Sequence, residues 1–296
     1  MSLTVSGNIS PHSRRNVTNM LLSHSWKRAG NYYRRNSAKL VFRRPLDVRT
    51  PDPIISFTFD DFPRAALLTA GRILQDYGAA GTYYVALGLL GGDSPSGPIC
   101  VKDDLINLLQ QGHELGCHTF AHCHSWNTPS DKFEASVLKN KSVLEELIPG
   151  AEFRSISYPI SEPRPLTKRN IAQHFSCCRA GGQTFNAGTA DLNQLSSFFL
   201  EQSRGRIQTV KDLIDRNREE LGWLIFATHD VESNPSPYGC TPEFFEQVVQ
   251  YAAESGARIL PVAKALDTIR GVSADVIRQT HRQAETSENR RLPVSN

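Results

Sequence analysis

At 296 residues and 39 % hydrophobic content the chain can bury a sizeable core, and no segment reaches transmembrane length. Its net charge of +3 hides an uneven distribution: residues 1–50 hold ten Lys/Arg against Asp47 alone, about +9, whereas the remainder, with 23 basic and 29 acidic residues, carries about −6. Six cysteines without the paired spacing of a zinc site, in a chain too long to need stapling, read as small buried hydrophobes and not as a disulfide framework.

Eight of the ten basic residues of 1–50 come as spaced doublets, Arg14-Arg15, Lys27-Arg28, Arg34-Arg35 and Arg43-Arg44, among Trp26, Tyr32, Tyr33 and Phe42. Aromatics between separated charges favour an arm that packs on a domain over one that binds nucleic acid or anionic lipid. The arm lacks the apolar core and small-residue cleavage site of a secretory signal, so a cytoplasmic location is expected.

From residue 52 onward strands and helices alternate. Ile55-Ser56-Phe57-Thr58-Phe59 is β-prone and ends in Asp60 and Asp61, with Pro63 close behind. Side chains alternate along a strand, so these adjacent acids serve one site only if the strand breaks between or just after them. Arg64–Tyr77 has helical spacing and stops at Gly78; Thr82–Leu87 is a second strand, and Gly88 to Pro98 a loop. A helix over Val101–Gln111 leads to a short strand, Glu114–His118. Phe133, Val137, Leu144 and Leu147 mark a long helix with Ser130 as its N-cap.

Ser155–Tyr158 reads as a strand and Pro165–Gln173 as a helix, with short strands around Phe175–Arg179 and Ser197–Leu200. Val210–Leu221 is a helix and Leu224–Thr228 an apolar strand. Thr241-Pro242-Glu243 opens a helix that runs to Gly256, and Arg258–Pro261 is a last strand. Repeated βα units with continuous apolar strands imply a parallel sheet covered by helices, and seven or eight of them a closed barrel. The expected organisation is one α/β barrel over 51–270, an N-terminal arm over 1–50 and a polar tail over 271–296.

Active sites of such barrels form at the C-terminal ends of the strands. Asp60 and Asp61 end the first strand, His118 the third, Tyr158-Pro159-Ile160 the fourth and His229 the late strand, so a barrel gathers them on one rim. His118 and His122 have i, i+4 spacing, which on a helical turn faces both imidazoles one way and suits a divalent metal with a carboxylate third ligand; surface or core histidines are the competing reading. His113 reads as structural, and His124 is left without a role.

Thr58-Phe59-Asp60-Asp61, then His118-Thr119-Phe120-Ala121-His122, then the strand ending in His229, in that order and spacing, resemble the polysaccharide deacetylases (the NodB-homology group, carbohydrate esterase family 4) over roughly Asp52 to Asp267. The resemblance implies a distorted (β/α)7 barrel and metal-dependent removal of acetyl from an N-acetylated sugar. It implies Asp60 as general base, Asp61, His118 and His122 as metal ligands and His229 as general acid. One divalent ion is implied, zinc foremost, with cobalt, manganese, nickel or iron also compatible with two imidazoles and a carboxylate.

The chain departs from the family where an Arg-Pro-Pro-Tyr-Gly motif is usual. Here the stretch is Ser157-Tyr158-Pro159-Ile160-Ser161, in which the Ile160 N–H remains available as oxyanion donor. The arginine that braces the base is absent from this motif, with Arg179 a substitute; Asp191 is a candidate to orient His229, and the Asp-x-x-Asp-Trp pattern is missing. Trp126 and Tyr238 are candidate stacking platforms for a carbohydrate or other acetylated small molecule. An O-acetyl esterase or small-molecule amidohydrolase on the same site is the alternative, and a catalytically silent carbohydrate-binding protein a further one. Neither a nucleic-acid partner nor a membrane span is expected, and oligomeric state is not legible.

Overall fold

The computed structural model describes residues 36–160 and 162–271, together with Gly30, Tyr32 and Tyr33; most of the basic arm and the polar tail beyond 271 lie outside the described residues. The chain divides at Val41/Phe42 into two units, and the barrel belongs to the second. Among the described residues no helix is long and apolar enough to cross a membrane.

The barrel unit opens with strand β1 (Pro45–Val48), followed by β2 (Ile54–Phe59). A helix starts directly after Asp60-Asp61-Phe62-Pro63, with a wide π-type stretch over Ala66–Gly71 that runs into α1 (Arg72–Asp76). Then come β3 (Thr82–Val85), a hairpin of β4 (Asp93–Ser94) and β5 (Gly97–Pro98), α2 (Lys102–Gln110), β6 (Glu114–Cys117) and α3 (Ser130–Leu147). The chain continues through β7 (Ser155–Ser157), α4 (Pro165–Ile171), β8 (Cys177–Arg179), β9 (Gly188–Asp191) and β10 (Phe198–Phe199). Last are α5 (Ile207–Glu219), β11 (Trp223–Thr228), α6 (Pro242–Glu254), β12 (Arg258–Ile259) and a helix, α7, over 262–271.

Seven strands lie side by side in the order β10-β11-β2-β3-β6-β7-β8, all parallel, with β12 added to the start of β2. The two ends of this path meet through residues 195–199. Leu195 forms a parallel bridge with Arg179 and exchanges backbone hydrogen bonds with Cys178 and Ala180, and three residues later Phe198 pairs with Phe226. This is the distorted (β/α)7 barrel expected of the sequence, with one short seam.

The strands are not uniformly apolar. Phe57, Phe59, Tyr83, Leu115, Ile156, Cys178, Leu224 and Phe226 belong to the main hydrophobic layer, in which Phe245 of α6 packs on both Phe57 and Phe59. Each such aromatic removed from water stabilises the fold by about 1.5–3 kcal/mol. The alternate residues face the barrel interior and are small or polar: Ser56, Thr58, Asp60, Tyr84, Gly116, Ser155, Ser157 and Arg179. Gly116 is required there, because a Cβ at that position would lie 2.3 Å from the Tyr84 ring. The bottom of the interior is filled by a second apolar cluster that includes Ile54, Trp223 and Ile225 with Leu46, Val48 and Ala190 from β1 and β9 and Val262 and Leu266 from α7.

Three local expectations change. Pro45–Val48, read as part of the arm, pairs antiparallel with Gly188–Asp191, an element with no hydrophobic signature of its own because it caps a barrel end. Within Gly88 to Pro98 lies the β4–β5 hairpin. Ser130 does not cap α3: Pro129 occupies that position and the Ser130 hydroxyl has no protein partner. Thr241 does cap α6, accepting the Phe244 N–H at 3.3 Å.

Candidate active site

The strand β2 ends at Phe59, and Asp61 and Phe62 follow at φ +62° and +50°. This left-handed break frees Asp61 from the alternation of the strand and lets both acids reach the rim. Thr119 (+58°), His122 (+48°) and Ile160 (+70°) share the same backbone region. Five of the nine described non-glycine residues with positive φ thus stand around one mouth, at a cost of about 1–2 kcal/mol each. Such conformations persist only where surrounding contacts impose them.

Asp61 Oδ1 lies 3.1 Å from His122 Nε2 and 3.6 Å from His118 Nε2, and one ligand atom from each of the three falls within 4.8 Å of the others. His118 and His122 converge from a loop after β6, not from a helical turn, since residues 118–124 form no helix and Thr119 and His122 adopt left-handed conformations. Burial pushes the His118 imidazole down to about 4, so it is neutral at pH 7 and its approach to Asp61 is not an ion pair. Its Nδ1 is 2.9 Å from the Ser157 carbonyl, which only accepts, so the proton sits on Nδ1 and the Nε2 lone pair faces Asp61. Asp61 Oδ1 is buried with no hydrogen-bond donor. An orphaned carboxylate oxygen beside two imidazoles is the donor set a divalent cation takes, so the residues fit the expected ion.

Asp60 turns inward. Burial pushes its carboxyl up, but the Arg179 guanidinium outweighs that and, with His118 and His229 nearby, holds it well below the usual carboxylate range. Arg179 donates to Asp60 and Ser157 Oγ through Nη2 and to Ser197 Oγ at 2.9 Å through Nη1. Its guanidinium carbon lies 5.1 Å from the Tyr84 ring and 5.4 Å from that of Phe199. Arg179 therefore stands where the resemblance needs a brace for Asp60, reaching it from β8 across the barrel interior.

His229 follows β11, its N–H bonded to the Tyr238 carbonyl at 3.3 Å and its ring 5.4 Å from the Tyr238 ring. Its Nδ1 is buried without a hydrogen-bond partner. Asp191 does not supply one: its oxygens take the Lys168 ammonium at 2.6 Å and the N–H groups of Arg44 and Asn193, each at 3.0 Å. The expected role for Asp191 is corrected, because the β1–β9 pairing places it in a structural network. Besides Asp60, a second carboxyl electrostatically coupled to His229 is Glu201, which follows β10. Burial pushes Glu201 up to about 7, with His229 opposing and Asp60 reinforcing the shift, and its Oε2 has no protein partner. Sequence reasoning passed over Glu201, although the signal was present: like Asp60, it is an acid directly after an apolar strand.

Ile160 is 64 % exposed at the end of the β7 segment. Trp126 is half-buried on the loop after His122, and Tyr238 is 48 % exposed beside His229. His124 organises a turn, its Nδ1 accepting the N–H groups of Trp126 and Asn127 at 3.3 and 3.4 Å. His113 accepts the Gly81 N–H at 2.9 Å in the barrel wall.

The polysaccharide deacetylase family model matches residues 47–176, which include both aspartates, both rim histidines of β6 and Ile160. Residues 47–176 belong to the polysaccharide deacetylase family. Over 103 residues the chain is 29 % identical to a peptidoglycan-N-acetylglucosamine deacetylase of Bacillus cereus, a match spanning 34 % of this chain and 45 % of that protein. The chain thus spans less than half the length of that curated relative.

Solved structures of the family share the fold. A family 4 acetyl xylan esterase from Clostridium thermocellum, in complex with a cobalt ion, superposes with a TM-score of 0.53 at 21 % identity, covering 74 % of this chain and 92 % of the other. A family 4 pseudoenzyme from Bacillus anthracis superposes with a TM-score of 0.51 at 13 % identity, covering 75 % and 68 %. A deacetylase barrel can therefore be an esterase or silent, and the chemistry must be argued from the side chains.

Proposed function

We propose that this protein is a metal-dependent hydrolase that removes N-acetyl groups from an N-acetylated sugar or oligosaccharide. The observation that carries the reading is the convergence of Asp61, His118 and His122 within 4.8 Å, with the ionised Asp60 and the imidazole of His229 at the same rim. Similarity to a peptidoglycan-N-acetylglucosamine deacetylase supports the N-acetyl class of substrate.

Asp61, His118 and His122 would hold the divalent ion, zinc foremost, which when bound would polarise the acetyl carbonyl and acidify water. Asp60 takes the proton of the attacking water. Arg179 keeps that carboxylate ionised at every working pH and fixes its direction, at the cost of proton affinity, so Asp60 acts by position more than by basicity. The Ile160 N–H faces charge developing on the carbonyl oxygen. An amine leaves poorly unless protonated, and His229 supplies that proton from Nε2, its Nδ1 being the buried nitrogen. Glu201 is electrostatically coupled to His229. Trp126 and Tyr238 offer faces for a sugar ring.

An O-acetyl esterase is the second reading, favoured by the structural likeness to an acetyl xylan esterase. An alkoxide leaves more readily than an amine and relies less on His229. The deciding experiment is acetate release from chitooligosaccharides, O-acetylated xylo-oligosaccharides and small amides, with zinc, cobalt or manganese added. Release from the first, abolished by chelation, supports the proposal. Release only from the second establishes the esterase, and release from none with no metal bound sinks the hydrolytic reading.

A further inference from the structure

The loop that carries His118 and His122 is tied to the strand end that carries Ile160. His118 Nδ1 donates to the Ser157 carbonyl at 2.9 Å. Two residues on, the Pro159 carbonyl accepts from Ser125 twice, at 2.8 Å from the hydroxyl and at 3.3 Å from the backbone N–H. Ser125 is wholly buried, so its hydroxyl has no reason to be polar other than this partner. Arg164, just past the Ile160 turn, donates back to the Trp126 carbonyl and closes the tie from the other side.

The Pro159 carbonyl and the Ile160 N–H belong to one peptide group, and no described peptide bond is cis. In a trans peptide the C=O and N–H point to opposite sides. Drawing the Pro159 carbonyl onto buried Ser125 therefore turns the Ile160 N–H away from the loop interior and toward the open side, where Ile160 itself is exposed. The β-branched Ile160 would leave φ +70° if released, because that region is unfavourable for its side chain.

We propose that Ser125 is a positioning residue for Ile160: its paired hydrogen bonds to the Pro159 carbonyl aim the Ile160 N–H at the oxyanion of the acetyl group being cleaved. The assignment rests on the hydrolytic reading for its purpose, but the coupling itself is independent of turnover. It makes one loop responsible for two things, the imidazoles that hold the ion and the direction of the amide that meets the oxyanion.

The test compares full-length wild type with Ser125→Ala, which removes one donor and introduces no bulk. In 15N-isoleucine-labelled, zinc-loaded protein, the Ile160 amide resonance is identified by its loss in Ile160→Val. Sodium acetate, the product anion of the proposed reaction, should shift that resonance in wild type and leave it unmoved in Ser125→Ala, with zinc affinity within about twofold. With tetra-N-acetylchitotetraose, kcat should fall about 100-fold while KM stays within about twofold, the signature of a donor misplaced by a fraction of an ångström. A Ser125→Ala amide that responds to acetate as wild type does, or a wild-type amide indifferent to acetate, overturns the proposal. Failure of wild type to release acetate from any probe defeats the hydrolytic reading alone, since the acetate response still decides the role of Ser125.

Discussion

Asp60 and His229 leave adjacent parallel strands of one barrel, and their surroundings differ in almost every respect. Asp60 is buried in the interior, paired with Arg179, and that arginine is itself held by Ser157, Ser197 and two aromatic faces. His229 is half-buried, its Nδ1 has no hydrogen-bond partner, and Glu201, a carboxyl also coupled to it, has an unpartnered oxygen of its own. The Asp60 side is fully paired within the protein, whereas the His229 side carries two unpartnered atoms, His229 Nδ1 and Glu201 Oε2. Adjacent places in a sheet fix position, but the charge state of Asp60 is decided by Arg179, which β8 sends across the interior.

Removing the Asp60 carboxylate should break this contrast most severely. Asp60→Asn is expected to lower acetate release by about 10³–10⁴-fold while about one equivalent of metal stays bound, checked by turnover and by metal analysis of the same sample. Turnover equal to wild type would show that Asp60 is not the base. Chelation should abolish activity and zinc should restore it, and His118→Ala should lose metal affinity in a calorimetric titration. Activity untouched by chelation would defeat the metal assignment.

Arg179→Met leaves Asp60 buried and uncompensated, and a loss of about 3–5 kcal/mol in urea denaturation is expected. The same change releases the Asp60 carboxyl to a higher pKa, so the acid limb of the kcat/KM profile should move to higher pH. An unmoved acid limb would disconnect Arg179 from the base. On the acid side the expected effect is smaller: Glu201→Gln should cost about 10- to 100-fold in kcat, the range for groups that orient another. Additional loss from Glu201→Gln in a His229→Ala background would show that it acts elsewhere.

His113 offers the mildest test, remote from both acid and base. Burial holds its imidazole down at about 4 in the fold against 6.5 when free. Its contribution is fully present above pH 6.5, where both states are neutral, and is lost as pH falls toward 4, because the unfolded chain protonates first. The slope it adds approaches one proton, about 1.4 kcal/mol per pH unit. His113→Gln, which keeps an acceptor for the Gly81 N–H, should flatten the stability profile in that window in thermal unfolding and leave catalysis unchanged.

Much of this molecule is local in origin. The alternation of Phe57 and Phe59 with Ser56 and Thr58, the stop at Pro63 and the cap at Thr241 are short-range patterns, and they place β2, α6 and the order of βα units without reference to the rest of the chain. The double aspartate, the His118–His122 pair and the strand-end His229 are likewise visible, because chemistry at the ends of apolar strands stands out by contrast. The sequence by itself therefore determined the class of barrel and that Asp60, Asp61, His118, His122 and His229 stand at its rim. Only the tertiary structure decided how they work together. That Arg179 serves Asp60, that Asp191 belongs to Lys168 and Arg44, and that Ser125 holds the Pro159 carbonyl are all contacts between segments about two dozen to more than a hundred residues apart. Periodicity and capping carry no record of such pairings, because they arise from closing a sheet into a ring, where each inward-facing residue meets side chains from strands not next to it in sequence.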